Sequence, residues 1–185
     1  MRKLLVFNQI SLDSFIADAH SDMSWAHKQD REWHDWVSSN ASGGGELVFG
    51  RVTYQQMASF WPSAMALESM PVVAERMNNL PKVVFSRTLT TADWNNTRLI
   101  RSDITAAVRK LKSEPGQDMV LMGSASIVAQ LAAEDLIDAY QLVINPIILG
   151  AGKFMFDGLK KHLHLKLMST RSFKNGNLVV SYERA

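Results

Sequence analysis

The junction at Gly123 constrains the fold of this chain more than any other feature of the sequence. The apolar run from Met119 to Met122 ends at Gly123-Ser124 and passes directly into a segment with apolar residues at helical spacing. A short apolar run that is bounded by glycine and followed by a helical pattern is typical of a buried strand leading into a helix. Backbone N–H groups at such a junction can hold a phosphate. The sequence therefore favours an α/β fold, and nucleotide binding is the first hypothesis.

The same strand-to-helix unit recurs along the chain. Short apolar runs predict strands at Leu4–Phe7, Glu46–Phe49, Val83–Phe85, Arg98–Ile100, Met119–Met122 and Ile137–Ile148. Helical patterns predict helices at His27–Asn40, Arg51–Trp61 and Pro71–Asn79, and two further helices capped by Asp103 and Ser124. Strands that alternate with helices indicate a mainly parallel sheet that helices cover on both faces.

The C-terminal part of the chain follows a different pattern. Leu163, Leu165 and Leu167 alternate with polar residues, and Asn175-Gly176 is a strong hairpin signal. These features predict an antiparallel hairpin at one edge of the sheet. The segment from Ser11 to Ser24 is polar and is predicted to be a loop. Because no linker, repeat or low-complexity segment interrupts the pattern, residues 1–185 are predicted to form a single domain.

Composition narrows the function classes. The chain is 46% apolar and 21% charged, and its net charge of +2 gives no support to a nucleic-acid or membrane-surface partner. The absence of cysteine excludes disulfides and thiolate metal sites, and His20, His27 and His34 lack metal-like spacing with carboxylates, so no metal site is expected. The basic, apolar N-terminus is interrupted by Asn8 and Gln9 and indicates a strand, not a signal peptide, which predicts a cytoplasmic protein.

Three predicted strand ends carry small or basic residues beside a turn or a helix start. They are Gly50-Arg51, Ser86-Arg87 and Gly123-Ser124. Ligands of open α/β sheets bind beyond the carboxyl ends of the strands, so three such ends could converge on one dinucleotide, with arginines bonding its phosphates. The alternative is that the glycines only end strands and the arginines only lie on loops. The chain lacks the GxGxxG and GxxxxGK[ST] motifs of the common nucleotide-binding folds.

At these residues the chain resembles the dihydrofolate-reductase-like superfamily. It is most similar to the C-terminal reductase domain of the bifunctional riboflavin-biosynthesis deaminase/reductase and to the stand-alone bacterial relatives of that domain. The resemblance covers almost the whole chain. Its motifs are Ser11-Leu12-Asp13, Gly50-Arg51-Val52-Thr53-Tyr54, Ser86-Arg87, the Gly123 segment, Leu136-Ile137-Asp138 and Asn145-Pro146-Ile147-Ile148-Leu149-Gly150-Ala151-Gly152-Lys153.

The resemblance implies a three-layer dihydrofolate-reductase-like fold and an NADPH-dependent reductase with a heterocyclic substrate, as in 5-amino-6-(5-phosphoribosylamino)uracil reductase. By position it implies that the pyrophosphate lies along Gly50, Arg51 and Thr53. It implies that the 2′-phosphate meets Ser86 and Arg87. It also implies that the cofactor is flanked towards the nicotinamide by Gly123, Ser124, Ala125 and Ser126, and that Gln9 and Ile10 lie near the nicotinamide.

Two residues depart from the pattern of the family. Ser124 stands where the family has the second of two glycines, and its Cβ could crowd a closely bound pyrophosphate. Ser14 stands where the family commonly has a glycine after Ser-Leu-Asp. These departures keep a second hypothesis open, a non-catalytic member that binds a nucleotide or another small ligand. A third hypothesis is a dihydrofolate or pterin reductase, but no arginine can be assigned to clamp a folate glutamate.

Two aspartates are candidates for delivering the proton that hydride transfer requires. Asp30 falls on the apolar face of the first predicted helix with Trp33, where desolvation would raise the pKa of an acid. The alternative is that Asp30 caps that helix. Asp13 is the second candidate, because the resemblance implies that it lines the substrate pocket, although aspartate is also common in turns.

Two further features concern the substrate and the assembly. Trp25 and Trp33 could wall a pocket that stacks a flat heterocycle, but aromatic residues on a helix face are also common in cores. The apolar segment from Ile137 to Phe156, together with the resemblance, predicts a homodimer built near the C-terminal strands.

Overall fold

The computed structural model describes residues 1–26, 30–41 and 43–185. The strands are β1 (Leu4–Ser11), β2 (Phe15–Asp18), β3 (Glu46–Gly50), β4 (Lys82–Phe85), β5 (Thr97–Ile100), β6 (Met119–Leu121), β7 (Ala139–Asn145), β8 (Gly152–Phe154), β9 (Leu165–Ser172) and β10 (Leu178–Arg184). The helices are α1 (Arg31–Ala41), α2 (Arg51–Phe60), α3 (Ala64–Ser69), α4 (Pro71–Asn79), α5 (Ile104–Ser113) and α6 (Ala125–Ala133).

Eight strands form one sheet in the order β5-β4-β3-β6-β1-β7-β10-β9. The pairs from β5 to β7 are all parallel, whereas β10 runs antiparallel to both β7 and β9. The turn at Gly176, with φ of 88°, joins β9 to β10. The predicted parallel sheet and the predicted antiparallel C-terminal hairpin are therefore confirmed. Because the strands from β5 to β7 are parallel, their carboxyl ends lie along the same edge of the sheet.

Apolar residues alternate along the strands, and each face of the sheet is covered by its own helices. On β3, Val48 packs with residues of α5 and α6, whereas Leu47 and Phe49 pack with residues of α2 and α4. Further along that second face, α1 packs its Trp33 against Val143 of β7. This arrangement confirms the predicted three layers, and it brings the N-termini of α2, α5 and α6 to the carboxyl edge of the sheet.

The segment from Ser11 to Ser24 differs from the prediction. It is not simply a loop, because β2 lies within it and pairs antiparallel with β8, with Ala17 opposite Lys153. The sequence signal for β2 is weak because the strand has only four residues and its partner lies far along the chain. The short helix α3 was also not predicted. Strand β7 is shorter than the predicted span Ile137–Ile148.

The start of the first predicted helix lies partly outside the described residues, because His27 is among those that the structure does not describe. Helix α1 begins at Arg31, one residue after Asp30. Asp30 Oδ1 accepts a hydrogen bond from the Trp33 N–H over 2.8 Å. Asp30 therefore caps the helix and does not share its apolar face, which is the alternative that the sequence left open.

A buried lysine anchors the start of β4, the strand that ends at Ser86-Arg87. The ammonium of Lys82 donates to the carbonyls of Asn78, Leu80 and Asn95 over 3.0, 2.7 and 2.9 Å, and it lies 4.5 Å from the centre of the Trp94 ring. Burial lowers the pKa of Lys82 to about 8. These hydrogen bonds satisfy carbonyl groups at the C-terminus of α4 and hold the amino end of β4 in place.

Candidate functional site

A cavity of about 450 Å³ lies beyond the carboxyl ends of β3, β4 and β5. We call it the arginine cleft, because Arg51 at the start of α2, Arg87 after β4 and Arg101 after β5 line it. Six of the eleven residues that the resemblance assigned to the cofactor also line it, namely Gly50, Arg51, Ser86, Arg87, Ser124 and Ser126. Residues from three predicted strand ends therefore meet in one cavity.

Gly50 and Gly123 hold two of these strand ends together. The Gly50 N–H donates to the Gly123 carbonyl over 2.9 Å. A Cβ on Gly50 would lie 2.8 Å from Ser124 Oγ and 2.9 Å from Ile127 Cδ1, so no larger residue fits without displacing the start of α6. The Gly123-Ser124 peptide bond is cis, and Ser124 Oγ lies 3.0 Å from Ser126 Oγ instead of capping the helix. The close approach leaves the first turns of α2 and α6 side by side.

Ser86 is held so that its hydroxyl hydrogen is available to a ligand. Its Oγ accepts hydrogen bonds from the Thr88 and Leu89 N–H groups over 3.1 and 3.0 Å. With both lone pairs used, the hydroxyl acts as a donor, and within the protein it has only Thr88 Oγ1 at 3.4 Å. A donor of this kind suits a phosphate oxygen.

Sequence reasoning missed Arg101. Its Nη2 donates to the Leu89 and Thr90 carbonyls over 2.9 and 2.6 Å, so it fixes the loop that follows Ser86-Arg87. Arg101 directly follows the predicted strand Arg98–Ile100 and precedes the predicted helix cap Asp103. The same strand-end argument that selected Arg87 would therefore have selected it.

The charges in the arginine cleft favour an anion. Three guanidinium groups face one carboxylate, that of Asp103, which already accepts the Ala106 N–H over 2.7 Å as the cap of α5. Arg51 Nη1 donates to Gln55 Oε1 over 3.0 Å. Arg87 is exposed and forms no hydrogen bond or ion pair with the residues that the structure describes. Its charge therefore remains free to bind a phosphate.

The remaining predicted cofactor residues lie where β1 meets Gly123. Gly123 has φ of 108°, and a Cβ on it would lie 3.2 Å from Thr53 Oγ1. Ile10 is buried in the core, and Gln9 Oε1 accepts a hydrogen bond from Asn145 Nδ2 over 3.3 Å. Ala125, the first residue of α6, follows the Gly123-Ser124 junction. The two glycines thus form a cradle that side chains would fill, and the donors around it fit a dinucleotide.

Asp13 ties the loop after β1 to the turn after β7. Its carboxylate accepts the Ser11 hydroxyl over 2.6 Å and the Leu149 and Gly150 N–H groups over 3.1 and 2.8 Å. These donors, the Ser11 hydroxyl above all, hold the pKa of Asp13 below its ordinary value. A carboxyl that stays ionised is a poor proton donor, so the geometry favours a positioning role for Asp13.

The two tryptophans predicted to wall a substrate pocket occupy different environments. Trp33 is only 4% exposed, stacks on Trp36 at 5.0 Å and meets Phe173 edge-on at 5.1 Å. The alternative interpretation, that Trp33 belongs to the core, describes this packing. Trp25 is half-buried in a 3₁₀ turn and donates from Nε1 to the Asp22 carbonyl over 3.1 Å.

The described residues offer neither a metal site nor a membrane-spanning helix. In residues 1–26, 30–41 and 43–185, no group of three His, Cys, Asp or Glu side chains could hold a metal ion. No helix in this part of the chain is both long enough and apolar enough to cross a membrane.

The sequence profile of the RibD C-terminal domain family matches residues 2–179. Among curated proteins, the uncharacterized protein YyaP of Bacillus subtilis is 28% identical over 182 residues, which cover 98% of this chain and 94% of YyaP.

Two solved structures have the same fold at low sequence identity. The first is the diaminohydroxyphosphoribosylaminopyrimidine deaminase/5-amino-6-(5-phosphoribosylamino)uracil reductase of Thermotoga maritima, with a TM-score of 0.72 and 14% identity; the match covers 100% of this chain and 57% of that one. The second is the dihydrofolate reductase of Enterococcus faecalis complexed with NADP(H), with a TM-score of 0.63 and 12% identity over 98% of this chain and 96% of that one. The predicted dihydrofolate-reductase-like fold is confirmed.

Proposed function

The chain belongs to the RibD C-terminal domain family, and from this membership we propose that it is an NADPH-dependent reductase of a heterocyclic small molecule. One observation carries the proposal: residues from three strand ends line the same cationic cavity, namely Gly50 and Arg51, Ser86 and Arg87, and Ser124. A cavity with three guanidinium groups, a hydroxyl donor and two helix N-termini suits a phosphorylated dinucleotide.

We propose one orientation for NADPH in the cleft, with the 2′-phosphate at one end and the nicotinamide at the other. Arg87 and the Ser86 hydroxyl would bond the 2′-phosphate, which favours NADPH over NADH. Arg51 and the N–H groups of the first turns of α2 and α6 would hold the pyrophosphate. Gly123 and the end of β1 would then meet the nicotinamide half. The cofactor supplies the hydride, and the chain supplies orientation and a proton.

Asp30 is the carboxyl that we propose as the proton source. Asp13 is tied by three donors and its pKa is lowered, so it is the weaker candidate. Asp30 is half-buried, and it uses only Oδ1 to cap α1. Its Oδ2 forms no hydrogen bond with the described residues and could hold a proton beside a bound ring.

A substrate class is supported by a relative with the same fold and by a polar side chain of β1. The Thermotoga maritima protein is named as a reductase of an aminouracil that carries a phosphoribosyl group. We propose a pyrimidine or pterin-like ring for this chain, because the neutral amide of Gln9, held by Asn145 near the end of β1, can match the donors and acceptors of such a ring.

One observation favours a second candidate function, a non-catalytic member that binds the nucleotide only. Ser124 places a side chain where the family has glycine, and its Oγ lines the cleft beside Gly50. This candidate predicts nucleotide binding without any turnover.

The test of the proposed function combines binding with turnover. Thermal unfolding with NADPH and with NADH should give a larger stabilisation by NADPH, because only a ligand of the folded state raises the melting temperature. NADPH oxidation should then appear with an aminouracil or a reducible pterin. An unchanged melting temperature at millimolar NADPH in a well-folded sample would overturn the proposal. A shift without oxidation for any ring tested would favour the nucleotide-binding candidate.

The role of Asp30 is tested by two substitutions at one position. Asp30→Asn keeps a good helix cap but removes the acid, so the melting temperature should stay close to native while turnover falls by roughly 100-fold or more. Asp30→Ala should lower both the melting temperature and turnover, because alanine neither caps the helix nor supplies a proton. Native turnover in Asp30→Asn would show that the proton comes from elsewhere.

We also propose that the protein is a homodimer. Every residue of the edge strand β9 is exposed, including Leu165 and Leu167, which alternate with polar residues in the sequence. Nothing in the described part of the chain covers this strand, and an exposed apolar edge is a template for pairing with another copy. Light scattering at micromolar concentration should give a dimer mass, and Leu167→Lys should give a monomer. The cytoplasmic location and the single-domain organisation stay predictions.

A further inference from the structure

Asn8 is a polar residue on an otherwise apolar strand face. Leu4, Val6, Asn8 and Ile10 alternate with Leu5, Phe7 and Gln9 along β1, so they point to the same side of the sheet. Leu4, Val6 and Ile10 belong to the core formed with α5 and α6. Asn8 is 9% exposed, so an amide replaces an apolar side chain at the margin of this core.

The amide of Asn8 has no hydrogen-bond partner among the residues that the structure describes. Its Nδ2 is buried without a hydrogen bond, and its Oδ1 forms none with the residues that the structure describes. An unpaired buried amide costs roughly 1–3 kcal/mol, so native proteins rarely keep one without a compensating role. A ligand that pairs with the amide would supply such a role.

The position of Asn8 indicates which part of the proposed dinucleotide its amide would contact. Its Oδ1 lies 3.7 Å from the place where a Cβ on Gly123 would stand, and Thr53 Oγ1 lies 3.2 Å from the same place. Because residue 123 is glycine, this Cβ position is empty, and it lies between the Asn8 amide and the Thr53 hydroxyl. It adjoins the Gly123-Ser124 junction, whereas Ser86 and Arg87 lie at the ends of more distant strands.

We propose that Asn8 binds the half of the dinucleotide that lies away from the 2′-phosphate. The inference rests on the proposed function and adds a residue that motif reasoning did not select. The neutral amide of Asn8 has a donating NH₂ group and an accepting carbonyl oxygen, and rotation about χ2 turns either of them towards Gly123. The group that it recognises is therefore neutral and polar, a ribose hydroxyl or the carboxamide of the nicotinamide.

The test compares two ligands on two variants. Asn8→Leu keeps a similar volume but removes the amide. Binding of NADPH and of adenosine 2′,5′-bisphosphate, which lacks the nicotinamide half, is measured by calorimetry. Asn8→Leu should weaken NADPH binding by about tenfold, the value of one hydrogen bond of ordinary strength, and should leave binding of the bisphosphate unchanged.

Thr97→Val is the matched control. Thr97 Oγ1 is also buried without a partner, but Thr97 lies at the amino end of β5, opposite Lys82 and away from the cleft. Its substitution should leave the binding of both ligands unchanged. Both variants should melt at or above the native temperature without ligand, because each removes an unpaired polar group. If Asn8→Leu does not fold, Asn8→Ala is measured in its place.

The outcomes separate this inference from the proposed function. Equal NADPH affinity in native protein and Asn8→Leu overturns the inference and leaves the proposed function intact. An equal loss for both ligands also overturns it, because it would indicate a general distortion of the cleft. If the folded native protein binds neither ligand, the proposed function fails and the inference fails with it.

Discussion

Two neighbouring parts of the carboxyl edge of the sheet differ in charge and in burial. The arginine cleft, at the ends of β3, β4 and β5, is open and cationic, and Arg87 there has no partner among the described residues. The other part, which we call the amide end, consists of Asn8, Gln9 and Asn145 at the ends of β1 and β7. It is mostly buried and neutral.

The difference follows from what each kind of group costs when it is buried. A guanidinium group is expensive to bury without a partner, so unpaired arginines remain on the rim, where water solvates them until a phosphate arrives. An amide is cheaper to bury, so it can lie deeper and read the hydrogen-bonding pattern of a ligand. The arginine cleft can therefore attract an anionic ligand, and the amide end can distinguish ligands by their hydrogen-bonding groups.

The largest effect is expected where the two parts are joined, at Gly50. In Gly50→Ala the new Cβ would lie 2.8 Å from Ser124 Oγ and 2.9 Å from Ile127 Cδ1, so α6 has to move. Such overpacking costs about 1–3 kcal/mol of unfolding free energy. A displacement of this kind should also weaken NADPH binding by roughly 100-fold. Denaturant unfolding and calorimetry measure the two effects.

Gly43→Ala is the control for this variant. Gly43 lies in an exposed turn, where an added Cβ meets only the Asn40 carbonyl at 3.3 Å. It should leave NADPH affinity at its native value. If Gly50→Ala also keeps native affinity, the cleft does not depend on the contact between α2 and α6.

An intermediate effect is expected for Arg87→Ala, which tests only the attraction between the arginine cleft and the 2′-phosphate. Loss of one charge-assisted bond to phosphate should weaken NADPH binding by about 10- to 100-fold and leave NADH binding unchanged. The folded state should keep its melting temperature, because Arg87 is exposed and has no bond to another described residue. Fluorescence titration with both cofactors measures the difference.

Arg76→Ala provides the comparison for Arg87. Arg76 is an exposed arginine on α4 that does not line the cleft. Equal losses in both arginine variants would mean that only net charge matters, and the proposed contact with the 2′-phosphate would be withdrawn.

The smallest effect concerns the loop at the amide end and depends on pH. The pKa of Asp13 is lowered in the folded protein from an ordinary value of 3.8, mainly by the Ser11 hydroxyl. Its contribution to stability is therefore present above pH 3.8 and is lost as the pH falls through the folded pKa. In Asp13→Asn this part of the acid sensitivity should disappear, while NADPH affinity at neutral pH stays native.

Thermal unfolding between neutral pH and pH 3 compares the native protein with Asp13→Asn. Identical pH profiles for the two would contradict the ionic tie between Asp13 and the turn at Leu149-Gly150. A large loss of NADPH affinity in Asp13→Asn would mean that the two parts of the edge are coupled.

Much of the arginine cleft could be predicted from the sequence, because its signals are local. Gly50-Arg51, Ser86-Arg87 and Gly123-Ser124 each end an apolar run, and parallel strands bring such ends to one edge. Arg101 carried the same signal and was overlooked. Asp30 was predicted to lie within the helix His27–Asn40, but it caps α1, which begins at Arg31. A helix start is difficult to locate when Asp can either cap the helix or lie in its first turn.

The amide end could not be predicted in the same way. That Asn8 has no partner among the described residues, or that Asp13 has three, depends on residues far along the chain, such as Gly123 and Gly150. Strand β2 was missed for the same reason, because β8 holds it and its own residues give little signal.

The sequence by itself determined the order of strands and helices, the parallel sheet, the family and the cationic strand ends. These properties follow from short-range periodicity, from glycines at strand ends and from the spacing of residues within motifs that a single chain displays. The tertiary structure alone decided which polar groups are paired, which tryptophan is core and which strand edge is exposed. Those outcomes depend on contacts between distant segments, whose distances and desolvation no local pattern encodes.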